Sequence, residues 1–195
     1  MTPYDVIVPA GGAARRLGGA DKPALTVGAA TLLDRVLAAC TDARTTVVVG
    51  PVRPTTRPGI RWTREHPPGG GPVAAVAAGL AEVTADLVLL FAADLPFLDR
   101  RTVERLVTAL DAAGPDTAAA VLVDAAGRDQ PLAAAYRTAA LRAALAAAGD
   151  PAGLPLRRLT GALPTLRLAD TDDVTYDCDT WEALEQARER DGAGG

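Results

Sequence analysis

The chain has 195 residues, enough for one domain with a sizeable core. Hydrophobic residues make up 49% and charged residues 23%, the balance of an ordinary globular protein. A net charge of −4 excludes a broad basic surface for nucleic acid or an anionic membrane, so any phosphorylated substrate must find its positive charge locally.

Strand and helix patterns alternate along the chain. The β-branched run from Asp5 to Ala10 stops at glycines and reads as a buried strand. After it comes "PAGGAARRLGGADKPAL", Pro9 to Leu25, a glycine loop. Thr31 is the expected N-cap of a helix over "LLDRVLAAC". "TTVVVG" is a second buried strand and "GIRW" a third, and Pro72 opens a helix over "PVAAVAAGLAEV". "DLVLLFAAD", ending at Asp94, is the strongest strand pattern in the chain, and Asp99 caps the helix that follows. "TAAAVLV" and "PLAAAYR" read as strands joined through the "DAAGRDQ" turn. An alanine-rich helix is expected from Thr138 to Ala148, and a shorter one in "LPLRRLTGA". "TLRLAD" and "DVTYD" read as short strands. "DTWEALEQARER" is a final amphipathic helix, in which Asp179 and Glu182 have capping-box spacing.

This alternation predicts an α/β fold with a mostly parallel central sheet, a Rossmann-like three-layer sandwich over residues 1–190 with a disordered tail at 191–195. No signal peptide and no membrane span is expected. Cys40 and Cys178 lie far apart and read as buried apolar filler in a reducing cytosol, which predicts a cytoplasmic protein.

The chemistry concentrates where strands of a parallel sheet end. The glycine loop can turn backbone N–H groups toward an anion, and its glycines allow close approach of a phosphate. It is not a Walker A loop, because Lys22 is followed by Pro23, and it lacks G-x-G-x-x-G spacing. Arg15, Arg16 and Lys22 bring three cations to it, which suits a polyphosphate; the alternative is a solvated surface turn. Lys22 is the sole lysine in the chain, a compact point charge where a guanidinium would not fit between phosphate oxygens. Asp94 is placed to hold Mg²⁺, or else opens a turn before Pro96. Asp177 and Asp179 form a second carboxylate group, with Asp179 open to an N-cap role. His66, the one histidine, reads as incidental.

The glycine-loop segment resembles the signature G-G-x-x-x-R-(M/L)-G-x-D-K of small sugar- and cofactor-nucleotidyltransferases, with the molybdenum cofactor guanylyltransferase family as a close match. "GGGPVAAVAAGL", "FAADLPFL", "GRDQPLAAAYR", "LPLRRL" and "DCDTWEAL" resemble that family's later blocks in the same order, so the resemblance spans Tyr4 to about Arg188. It implies an enzyme that transfers GMP from GTP to the phosphate of molybdopterin, as molybdenum cofactor, with Mg²⁺ and release of pyrophosphate. By the same resemblance Pro9, Ala10, Gly11 and Gly12 line the base and phosphates, Arg16 and Lys22 contact the triphosphate, and Asp94 ligates Mg²⁺. Asp177 or Asp179 completes the metal site or touches the acceptor. Transient contact with other cofactor-biosynthesis proteins is implied as well. The chain departs from the family at Pro9 (often Leu), Ala75 (often Gly), Asp177 and Asp179 (often Asn), and near His66, where Glu65 is the candidate substitute for an Asp. A cytidylyltransferase of the same cofactor or of another small phosphorylated acceptor is the alternative chemistry. A non-catalytic nucleotide- or pterin-binding module is the alternative of another class.

Overall fold

Val- and Leu-rich runs supply the middle of the sheet, because strands covered on both faces must be apolar on both. A computed structural model describes residues 2–12 and 17–193. In chain order its elements are β1 (Tyr4–Pro9), β2 (Thr26–Val27), β3 (Ala30–Thr31), α1 (Leu32–Ala39), β4 (Thr46–Val49), β5 (Arg61–Thr63), α2 (Gly71–Leu80) and β6 (Leu87–Phe91). There follow α3 (Arg100–Ala112), β7 (Ala119–Val123), β8 (Asp129–Arg137), α4 (Thr138–Ala148), α5 (Leu156–Thr160), β9 (Thr165–Ala169) and α6 (Trp181–Ala193).

Seven strands form one sheet in the order β5-β4-β1-β6-β8-β7-β9, and β2 pairs with β3 in a separate small hairpin. β8 is antiparallel to both its neighbours, and the other described pairings within the sheet are parallel. Alternate residues face opposite layers. Val6, Val8, Leu89 and Phe91 pack with Leu33 and Val36 of α1 and Leu106 and Leu110 of α3. Ile7, Val47, Val88 and Leu90 pack with Val73 and Val76 of α2, Leu141 of α4 and Leu159 of α5. Each such side chain, when fully buried, contributes about 1.5–3 kcal/mol. The expected three-layer α/β fold is therefore present. α2 lies so close on β1 that a Cβ at Gly79 would sit 2.5 Å from Ile7 Cγ2.

Local chemistry sets the element ends. Thr31 accepts from the Asp34 amide at 3.0 Å and Asp99 from the Thr102 amide at 2.8 Å, so both expected caps are made. Two expectations need correction. "DVTYD" is not a strand. The Asp170 carboxylate takes the amides of Val174 and Thr175 at 2.9 and 2.7 Å, which removes the donors a ladder would need. Asp179 does not cap α6; Thr180 does, its hydroxyl accepting from the Ala183 amide at 3.1 Å. α6 runs to Ala193, and Asp191 pairs with Arg35 at 2.6 Å.

Candidate active site

The carboxyl ends of β1 and β6 mark the point where the chain order reverses, since β4 lies on one side of β1 and β6 on the other. A cavity of about 690 Å³ opens there. Pro9, Ala10, Gly11 and Gly12 form one wall as the chain leaves β1. Gly50, just past β4, backs this wall: a Cβ there would meet the Ala10 carbonyl at 3.0 Å and the Gly11 nitrogen at 3.1 Å. Any side chain at Gly50 would push the glycine loop inward. Gly71, Pro72 and Ala75 bring the N-terminus of α2 to the cavity, so the positive end of its dipole faces the space. Ala75 adds a methyl to that wall.

Lys22 begins a single 3-10 turn, Lys22–Ala24, closed by the Ala24 amide on the Asp21 carbonyl at 2.9 Å. Pro23 suits that turn, because its own amide is not needed there. The Lys22 ammonium pairs with Asp94 Oδ2 and, at 2.5 Å, with Asp179 Oδ1. Asp94 lies just past β6, and Asp179 arrives from the loop before α6. The Lys22 and Asp94 side chains are 14% and 16% exposed, which makes this pair much drier than a surface ion pair. Burial by itself works to lower the Lys22 pKa, but the Asp94 charge and the hydrogen bonds to Asp179 and Asp94 outweigh it and hold the ammonium above its ordinary 10.5. Asp177 also lines the cavity. Burial first, then the charges of Asp179 and Asp94, push its carboxyl above the usual 3.8.

Among the described cavity residues one ammonium, Lys22, faces four carboxylates: Glu65, Asp94, Asp177 and Asp179. This surplus of negative charge fits a bound cation. No group of three His, Cys, Asp or Glu among the described residues is arranged to hold a metal ion by itself. Mg²⁺ characteristically takes only one or two protein carboxylates and completes its shell with water and substrate phosphates, so the donor set still suits it.

The structure brings Pro9, Ala10, Gly11, Gly12, Lys22, Asp94, Asp177 and Asp179 to one cavity. Arg16, like Arg15, lies outside the described residues. Glu65 reaches the cavity and accepts from the Gly69 amide at 3.1 Å, while His66 is exposed and does not line it. Sequence reasoning missed Gln130 and Thr175, which also line it. It missed a clamp on the residue before Lys22 too: Arg53 donates to both oxygens of Asp21, at 2.7 to 3.0 Å. No spacing signal announces that pair, since 32 residues separate its members.

The family model of the MobA-like NTP transferase domain matches residues 6–166. A molybdenum cofactor guanylyltransferase of Nitrobacter hamburgensis is 34% identical over 115 residues, which are 54% of this chain and 55% of that protein. A probable molybdenum cofactor guanylyltransferase of Nostoc sp. is 35% identical over 142 residues, 70% of this chain and 67% of that protein. The chain thus spans from little more than half to two thirds of the length of these relatives. Among solved structures, 2-C-methyl-D-erythritol 4-phosphate cytidylyltransferase from Thermus thermophilus has a TM-score of 0.73 and 25% identity over 95% of this chain and 96% of that one.

Proposed function

Because this chain belongs to the family of MobA-like NTP transferase domains, we propose that it transfers GMP from GTP to the terminal phosphate of molybdopterin, as molybdenum cofactor. An oxygen of that phosphate attacks the α-phosphorus of GTP; the new P–O–P bond forms as the α–β bond breaks, and pyrophosphate leaves. The observation that carries this reading is Lys22, held between Asp94 and Asp179 at the mouth of the glycine loop.

The chain's residues act by position and charge. The exposed backbone of Gly11 and Gly12 gives phosphates close access. Lys22 exchanges its carboxylate partners for phosphate oxygens, whose negative charge favours the ammonium as the carboxylates do. Asp94, with Asp177 or Asp179, would hold Mg²⁺, which when bound neutralises the phosphates. No protein nucleophile is required. Cys178 does not serve as one, since it is buried, and burial foremost pushes its thiol up to about 11. The reading also includes a cytoplasmic location, to which the free, buried Cys40 and Cys178 are suited, and passing contact with other proteins of cofactor biosynthesis.

A second reading, cytidylyl transfer, is favoured by the likeness to the Thermus cytidylyltransferase. Pyrophosphate release from GTP, CTP, ATP and UTP, each with and without molybdopterin, separates the readings. GTP with molybdopterin is the expected productive pair, because a wrong base leaves buried polar groups unpaired. Preference for CTP would favour the second reading. Ligand binding without pyrophosphate release would mean a binding module.

A further inference from the structure

The reversed strand lines one side of the cavity. Because β8 runs against β6, its first residues lie at the same edge as the carboxyl ends of the parallel strands: Ala133 pairs with Phe91. Across the cavity mouth the glycine loop therefore follows β1, Asp94 follows β6, and Gln130, Leu132 and Ala133 come next on β8. The register between β7 and β8 jumps after Val121–Ala134 to Leu122–Gln130, which frees Pro131, Leu132 and Ala133 from β7. The irregular stretch is tied down from the β6 side by Ala92, which donates to the Leu132 carbonyl at 2.9 Å, and from within β8 by Tyr136 Oη, which donates to the Pro131 carbonyl at 2.9 Å.

Gln130 is oriented by a fixed anion. Its amide Nε2 donates to Asp124 Oδ2 at 2.8 Å. Asp124 itself accepts from the backbone amides of Ala126 and Arg128 and from Arg128 Nε, each at 2.9 Å. These bonds, the Arg128 backbone amide foremost, hold its carboxyl below the ordinary range. A carboxylate can only accept, so the Gln130 nitrogen is the end it holds, and the oxygen Oε1 is left to face other donors.

We propose that Gln130 is a specificity-determining residue for the acceptor substrate, its Oε1 taking an N–H of the acceptor's heterocyclic ring. This rests on the transfer reading above. A neutral acceptor atom on the wall beyond Asp94 suits the uncharged polar end of a molecule whose phosphate must lie at the carboxylate cluster. A pterin ring, with amino and amide N–H groups, has that end. Leu132 beside Gln130 supplies an apolar surface for a flat ring.

The test is equilibrium binding of molybdopterin, under anaerobic conditions, and of GTP, to the wild-type chain and to Gln130→Met, which keeps length but loses the amide. Molybdopterin binding should weaken about tenfold, the scale of one hydrogen bond whose partner is left unpaired, while GTP binding stays as it was. Unchanged molybdopterin binding would overturn the proposal, and so would equal loss for both ligands, which would make Gln130 merely structural. A wild-type chain that binds no molybdopterin overturns it as well. Pyrophosphate release separates this from the transfer reading. Gln130-dependent molybdopterin binding without pyrophosphate release sinks the transfer and leaves the contact standing. A kcat/KM for molybdopterin that is indifferent to Gln130→Met sinks the contact and leaves the transfer.

Discussion

The two ends of the central strands hold charge in opposite ways. Near the amino end of β1, Asp5 is fully buried, and one of its carboxylate oxygens accepts from the backbone amides of Thr84 and Ala85 at 2.7 and 2.9 Å. At the carboxyl end, Lys22, Asp94 and Asp179 hold one another through side chains at the edge of a cavity. Backbone amides cannot leave Asp5, so that charge fastens the segment after α2 to the sheet. Side-chain partners can be replaced by a ligand of the right charge. The same kind of group is thus structural where main-chain amides hold one of its oxygens, as they hold Asp5 Oδ2, and available for chemistry where other side chains hold it.

The largest effects should come from breaking the upper cluster. Charge-assisted contacts are worth about 1.5–3 kcal/mol each, so Lys22→Ala, losing two such contacts to phosphate, should lower kcat/KM by roughly 10²–10⁴-fold. Lys22→Arg, which keeps charge but not shape, should fall between; a wild-type rate for Lys22→Arg would remove the argument for a point charge. Asp94→Asn should cut turnover at least about tenfold, the low end of one charged contact, and leave the melting midpoint almost unmoved. Steady-state kinetics beside thermal melts checks all three.

Asp5→Ala should invert that pattern. Leaving the Thr84 and Ala85 amides without their acceptor costs about 1–3 kcal/mol for each unsatisfied group, read as a lower midpoint in urea. Turnover per folded molecule should stay at the wild-type value. A kinetic defect without a stability defect would mean that the two ends are coupled and the contrast is false.

The smallest effect concerns Asp177. Burial and the charges of Asp179 and Asp94 raise its pKa, so the folded state binds this proton more tightly than the unfolded chain does. The stabilisation is present at low pH and is lost as pH rises through the folded value, so the ionised group opposes folding at pH 7. Asp177→Asn should therefore raise stability at pH 7 by up to about 0.5 kcal/mol, the scale of an exposed substitution, and the gain should fade below the ordinary carboxyl value. A lower midpoint at pH 7 would contradict the direction of that shift.

Much of this arrangement was legible in the sequence. The apolar runs ending at Pro9 and Asp94 identify strands whose carboxyl ends carry the site, because continuous burial leaves a strong pattern. Thr31 and Asp99 announce their helices, since a cap acts on an amide three residues away. The same rule misled at Asp179, because Thr180 beside it is also a capping residue and makes the cap, while Asp179 is engaged by Lys22. At residues 173–177 alternating apolar residues imitate a strand, while the Asp170 side chain takes the amides instead. The Arg53–Asp21 clamp and the Asp124–Gln130 contact depend on chain path or on a register jump, neither of which leaves a periodic trace.

The reversed direction of β8 also bears on the order in which the sheet can assemble. β7 and β8 meet across the five residues 124–128, whereas β1 and β6 meet only after 77 residues, 10–86, have been looped out. By the logarithmic growth of loop-closure entropy, the second pairing costs about 2.4 kcal/mol more than the first. The hairpin that bears Gln130 can therefore close early and on its own contacts. The parallel pairing that sets the glycine loop against Asp94 must wait for the crossover segments to collapse, so the half of the cavity between β1 and β6 is the late-forming one.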